Sequence, residues 1–295
     1  MDKYSVFVKR FIRPALTAAV LVMLLWSCTE PVSNDEYGAT EQLVISVEVP
    51  HMTKAPIFSQ YLNSGSKIGV TLVEEGKDTY DGVKYHNVMF TVYGNGEDQY
   101  WVSSKEINLS DTKGTLYAYY PYTKEYDSHR ISASAKDSDV LWCSVSDMSR
   151  RNNRALLQLN HTKAILRIKL QRGDYVGNGN ISIIEVISFN SYREADLNIL
   201  TGNFENGNEI NMISNYPNCT LDDSPDADFL LIPNGKNDKI TIISLIDETN
   251  YLVELDKSTL YPGKINEVTI TLNNLTKGLN DEDNQVSINM FEHYE

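Results

Sequence analysis

The chain has 295 residues, with 26 Lys+Arg against 40 Asp+Glu and a formal charge of −14. That acidic balance repels the phosphates of nucleic acid and of anionic lipid, and excludes a DNA-binding role. Three cysteines are too few to staple a disulfide-dependent fold.

Lys3, Lys9, Arg10 and Arg13 form a basic head, followed by the run Ala15–Trp26, apolar except for Thr17, and then Ser27-Cys28. A positive head, an apolar run of about 12 residues and a small residue before the cut make the pattern of a secretory signal. Spanning a bilayer takes about 20 apolar residues, so residues 1–27 are expected to be removed on export. Leu24-Leu25-Trp26-Ser27-Cys28 resembles the lipobox of bacterial lipoproteins, with Trp26 where a small residue is usual. Cys28 is therefore expected as the lipidated first residue, the plainer alternative being an ordinary signal with a chance cysteine. Loss of residues 1–27 removes four basic residues and one acidic one, leaving a charge of −17. Glu30, Asp35 and Glu36 resemble the acidic stretch behind the lipidated cysteine of some Gram-negative lipoproteins displayed outside. That predicts a surface-exposed outer-membrane protein held by acyl chains. Cys143 and Cys219 are expected as buried free thiols, with a bond between them as the alternative.

Residues 28–42 are polar, with Pro, Asn and Gly, and predict a flexible tether. After them the hydrophobic period is almost everywhere two, the mark of strands. In chain order the predicted strands are 43–49, 68–73, 87–93, 99–103, 115–120, 139–145 and 155–159. They continue with 163–171, 181–189, 228–232, 239–246, 250–255, 265–272 and 286–291. Most are rich in β-branched and aromatic residues and are bounded by Gly, Asn, Asp or Pro. So many short strands must bury one face each, which predicts an all-β fold of two sandwich domains. The polar, basic stretch Ser149–Arg154 places the break, giving domains at 43–154 and 155–275 and a tail at 276–295.

No enzymatic constellation stands out, and neither a cofactor nor a metal site is expected. His51, His86, His129, His161 and His293 are far apart in sequence, and no Cys-x-x-Cys pair exists. Gly177-Asn178-Gly179 begins like a dinucleotide loop, but Ser182 stands in place of the third glycine and a strand follows. The acidic clusters Asp222, Asp223, Asp226, Asp228 and Asp281, Glu282, Asp283 lack the spacing of a calcium loop and read as solvated loop charge. Tyr80, Tyr85, Tyr93, Tyr100 and Trp101, with Tyr117, Tyr119, Tyr120 and Tyr122, could stack on sugar rings. The competing reading is packing between strands.

Four segments together resemble one family. Gly114-Thr115-Leu116-Tyr117-Ala118-Tyr119-Tyr120-Pro121-Tyr122 resembles the aromatic strand and turn of the fimbrillin-like proteins of Bacteroidales, which build type V pili. Thr53-Lys54-Ala55-Pro56 with Gly65-Ser66-Lys67-Ile68-Gly69-Val70, then Leu159–Leu166, then Leu260-Tyr261-Pro262-Gly263-Lys264 are similar to further family segments in the same order. The resemblance implies two transthyretin-like Greek-key β-sandwiches in tandem and export as a lipoprotein. It also implies a fimbrial subunit (stalk, tip or anchor) in which a trypsin-like protease removes the first strand and a strand from another copy or a related pilin replaces it. On that reading Leu43, Ile45, Val47 and Val49 form the exchanged face, and the cut follows Lys54, where the family usually has arginine. The alternative at Lys54 is no cleavage, as for an anchor or a capped tip. Val286, Ile288 and Met290 in the tail share a face and read either as a donor strand or as a last edge strand of their own domain. The implied activity is adhesion to a host or bacterial surface ligand, without catalysis. The alternative function is a monomeric surface lipoprotein binding glycans through exposed aromatics.

Overall fold

A computed structural model describes residues 39–50, 61–136, 139–209, 212–258, 260–273 and 286–291. Cys28 and Lys54 lie outside the described residues. Among those described there is no α-helix, only two single-turn 3-10 segments, Gly96–Asp98 and Leu221–Asp223. No described helix is long and apolar enough to cross a membrane. The expected all-β class holds, with several largely antiparallel sheets.

One sheet has six strands in the order Asn160–His161, Leu141–Met148, Gly114–Tyr120, Lys67–Val73, Tyr85–Tyr93, Tyr100–Ser103. Its central strands carry β-branched and aromatic residues that suit a pleated surface buried on both sides. In Gly114–Tyr120, Leu116 and Ala118 point into one core with Ile68, Val70, Phe90, Leu141 and Leu157, while Tyr117 and Tyr119 point to the other face. Tyr119 is fully buried there and its hydroxyl donates to Asn87 Oδ1 at 2.7 Å. The strand ends at a cis Tyr120–Pro121 peptide.

Gly69 is required opposite that tyrosine. A Cβ at residue 69 would lie 2.2 Å from Tyr119 Cε1, so Gly69→Ala forces the ring or the strand to move. Overpacking of this kind costs roughly 1–3 kcal/mol, which urea denaturation would read directly; an unchanged midpoint would refute the packing argument.

A second core lies between two further sheets. One runs Phe204–Glu209, Ser191–Asn198, Asp226–Pro233, Ala164–Arg172, Ile265–Leu272, Val286–Phe291. The other runs Ile213–Asn215, Asn180–Ser188, Asp238–Ile246, Thr249–Ser258, with Cys219–Thr220 also on Asn180–Ser188. Alternate residues of facing strands fill the space: Leu166, Ile168 and Leu170 meet Ile184, Val186, Ile240 and Ile242.

Arg130–Ser134 does not join the six-stranded sheet that precedes and follows it in sequence. It pairs antiparallel with Ser191–Asn198, from Asn198↔Arg130 to Glu194↔Ser134. Ile131, Ala133, Ala195 and Leu197 alternate inward there and meet Tyr119 and Val140 in a third cluster. Trp142 closes this cluster from the side, its Nε1 donating to the Ile199 carbonyl at 2.8 Å.

The acidic cluster at 222–228 is not simply solvated loop charge, since Asp226 and Asp228 lie in the strand Asp226–Pro233. Asp222 pairs with Arg172, Asp223 caps Thr220 and Asp228 pairs with Arg167, so three of its carboxylates hold cations or amides of the fold itself. Both remaining cysteines are free thiols; Cys143 is buried, but Cys219 is only half-buried. Burial pushes the Cys143 thiol up to about 12, which leaves it protonated and unreactive near neutrality.

Candidate assembly surface

The leading strand, Val44–Glu48, stands apart from the three large sheets. Among the described residues its ladder partner is Arg154–Gln158, with which it runs parallel in the register Val44↔Arg154 to Glu48↔Gln158. Just before it, Glu41–Gln42 pairs with Asn108–Leu109, and the Leu43 amide donates to the Ile107 carbonyl at 2.9 Å. Beyond it, the Leu159 amide donates to the Glu48 carbonyl at 2.9 Å.

The alternation Leu43, Ile45, Val47, Val49 now has a physical address. Leu43, Ile45 and Val49 are buried in the first core, against a set that includes Leu109, Leu116 and Leu157, and Val47 packs on it half-buried. Val44 faces the other way and is 44% exposed. A short strand that fills a core yet hangs on one parallel ladder is the element whose removal leaves both a groove and a row of free amides.

The tail also forms a strand. Val286–Phe291 lies antiparallel on Ile265–Leu272, from Leu272↔Val286 to Glu267↔Phe291, at the edge of its sheet. In this chain it therefore takes the place of a last edge strand. In the backbone register Val286, Ile288 and Met290 are the Cα partners of Leu272, Ile270 and Val268.

The aromatics divide. Tyr80, Tyr85 and Tyr119 are buried, which assigns them to packing. Tyr93 and Tyr100 are opposite each other on the edge of the six-stranded sheet, 44% and 60% exposed, with rings stacked at 5.7 Å.

A polar cluster that no sequence spacing announced lies beside the same sheet. Asp78, His86 and His129 bring their ligand atoms within 4.8 Å of one another. Hydrogen bonds from Lys84 first and His129 second hold the Asp78 carboxyl down at about 2. Tyr126 sits behind His129, its phenol pushed up to about 12 chiefly by burial.

Comparison with known proteins places this architecture. The profile of the fimbrillin-like family matches residues 53–290. A candidate cell adhesion protein of Bacteroides ovatus is 17% identical over 86% of this chain and 97% of its own, with a TM-score of 0.63. One from Bacteroides uniformis is also 17% identical, over 86% of this chain and 98% of its own, with a TM-score of 0.60. A fimbrial assembly protein of Parabacteroides distasonis is 10% identical over 85% of this chain and 99% of its own, with a TM-score of 0.50. No curated protein matches the sequence. At these identities the solved structures speak for the fold, while the profile spans most of the chain, and the chain belongs to the fimbrillin-like family.

Proposed function

We propose that the protein is a structural subunit of a type V fimbria, lipidated at Cys28, carried to the outer-membrane surface and polymerised by strand exchange. The observation that carries this reading is the position of Val44–Glu48: its alternate residues belong to the first core, while among the described residues its ladder partner is the parallel strand Arg154–Gln158. Parallel ladders are slightly weaker per residue than antiparallel ones, so an incoming antiparallel strand could refill the same groove and gain in pairing. β-augmentation of this kind takes affinity from the main chain and specificity from alternate side-chain pockets.

On this reading a trypsin-like protease cuts after Lys54 and frees the leading strand, and Leu43, Ile45, Val47 and Val49 mark the four sites that a donor must fill. Val286, Ile288 and Met290 supply an alternation of the right spacing for that donor, provided the tail leaves the edge of its own sheet. The presence of two larger cores supports the expected pair of tandem transthyretin-like Greek-key sandwiches. Ala155, Leu157 and Leu159 pack in the first core, which supports a break after Leu159 in place of the one at Arg154. The partners are other copies or related pilins, and the fibre adheres to a ligand on a host or bacterial surface.

Limited trypsin digestion of the mature chain, followed by size-exclusion chromatography and negative-stain microscopy, tests the reading. Ladders of oligomers are expected only after the N-terminus becomes Ala55. A cleaved chain that stays monomeric at high concentration overturns it. A second reading, capture of glycans by a monomeric lipoprotein, draws on the exposed Tyr93–Tyr100 pair and predicts glycan-array binding that Tyr100→Ala abolishes.

A further inference from the structure

The cluster at Asp78 joins three separate stretches of chain. Asp78 lies in the turn after Lys67–Val73, His86 is the second residue of Tyr85–Tyr93, and His129 sits in the tight turn that leads into Arg130–Ser134. His129 Nε2 is 2.6 Å from Asp78 Oδ1 and His86 Nε2 is 3.2 Å from the same oxygen. The two imidazole rings meet edge to face with centroids 4.6 Å apart. His86 Nε2 also lies 2.7 Å from the Asp78 carbonyl oxygen. The side chains of His86 and His129 are 21% and 16% exposed against 51% for Asp78, so the imidazoles form a wall and the carboxylate faces solvent.

The turn that delivers His129 is a constrained one. Ser128 and His129 have φ of 46° and 64°, and the Arg130 amide donates to the Asp127 carbonyl at 2.8 Å. Two successive positive-φ residues in a hairpin usually call for Asn-Gly; here the second is a histidine whose ring points at Asp78. Behind it, the Tyr126 hydroxyl lies 2.8 Å from His129 Nδ1 and 3.1 Å from Thr71 Oγ1. While Nε2–H donates to Asp78 Oδ1, the phenol donates to Nδ1; moving the ring proton to Nδ1, with Nδ1–H donating to the phenol oxygen and the phenol to Thr71, frees the Nε2 lone pair for an ion. An outer partner that fixes tautomer and ring orientation is what a metal-ligating histidine ordinarily has.

We propose that Asp78, His86 and His129 bind a divalent transition-metal ion of the zinc class, with Tyr126 as the positioning residue for His129. Two imidazoles and one carboxylate are a zinc donor set, and three protein ligands leave a coordination position for water or for a group on another molecule. Binding replaces the present His129–Asp78 and His86–Asp78 contacts by three bonds to the ion and displaces Lys84, whose Nζ lies 3.0 Å from Asp78 Oδ2. The ion would clip the turn at 127–130 to the base of the hairpin at 78–86.

Isothermal titration of the mature protein with ZnCl2, and visible spectroscopy with Co2+ as the probe, test this. One saturable Zn2+ per chain is expected, with a Co2+ d–d band typical of nitrogen and oxygen ligands. Tyr126→Phe should weaken binding about tenfold, as loss of an outer hydrogen-bond partner does. His86→Gln and His129→Gln should weaken it further, and Lys84→Met should tighten it several-fold. Circular dichroism of each metal-free variant confirms its fold, and only variants that match wild type are compared. The proposal is overturned if wild type shows no saturable Zn2+ binding, or if a folded His86→Gln/His129→Gln chain binds as wild type does. An unchanged affinity in Lys84→Met would remove Asp78 from the ligand set.

Discussion

A chain that begins at Ala55 is expected to lose on the order of 5–9 kcal/mol of unfolding free energy relative to the mature form. The figure comes from Leu43, Ile45 and Val49, three side chains buried in the first core, at about 1.5–3 kcal/mol each, taken as an upper bound because unfolded chains already bury some surface. Domains have only about 5–15 kcal/mol in all, so the truncated monomer should be marginal or should gather into oligomers. The loss also exposes the groove lined by Leu109, Leu116 and Leu157 and frees the amide edge of Arg154–Gln158. A synthetic peptide spanning Glu41–Pro50, added in excess, should raise the urea midpoint of the truncated chain, because it restores both the apolar face and the ladder. Val44→Ser in the intact chain should shift the midpoint little, since that side chain faces outward. If truncation leaves the midpoint unchanged, or if the peptide has no effect on a truncated chain that remains folded, the leading strand does not complete the core.

Asp228→Ala is expected to destabilise the protein by roughly 3 kcal/mol, the lower end of the range for breaking a buried ion pair. Arg167 lies in the middle of Ala164–Arg172 with its side chain 8% exposed, directly opposite Asp228 in the register. Its Nε and Nη2 donate to the two carboxylate oxygens, each at 2.7 Å. The same carboxylate raises the guanidinium pKa above its ordinary value; once it is gone the arginine still stays charged, because a guanidinium titrates far above neutrality in any case. Asp226 Oδ2 stands 4.0 Å from Arg167 Nε and cannot replace a two-pronged contact. The double change Arg167→Met/Asp228→Leu should recover most of the loss, because an apolar pair of similar volume removes both desolvation penalties. Urea midpoints of the three variants decide the matter; a single variant within about 0.5 kcal/mol of wild type would mean the pair is effectively a surface one.

The elements that sequence alone revealed are those whose own residues dictate their geometry. The alternation in 43–49 and the branched residues of 163–171 and 239–246 announce strands because each buries a face whatever its neighbours do. Arg130–Ser134, Ser191–Asn198 and Phe204–Glu209 gave no such signal. Their Ser, Glu, Asp, Asn and Gly residues have low strand preference, and they are strands because partners distant in sequence supply the ladder and a few inward positions such as Ile131 and Leu197. The parallel partner of Val44–Glu48 was hidden for the same reason, since the register joins residues 110 positions apart. The candidate metal cluster is the extreme case. His129 and Asp78 are separated by 51 positions, and only the turn at Ser128-His129 and the path of the sheet bring them together. The tyrosines show what composition cannot resolve: Tyr80 and Tyr119 vanish into cores while Tyr93 and Tyr100 stay on the edge, a choice made by each residue's place in the fold and not by residue type.

The excursion of Arg130–Ser134 into a neighbouring sheet bears on how such a subunit would behave under tension. Its five register pairs with Ser191–Asn198 stitch the portion of the chain around the first core to the portion around the second. Beads joined by a linker could swing apart at almost no cost. Here separation must first break that ladder, so extending the subunit should meet resistance until the seam fails.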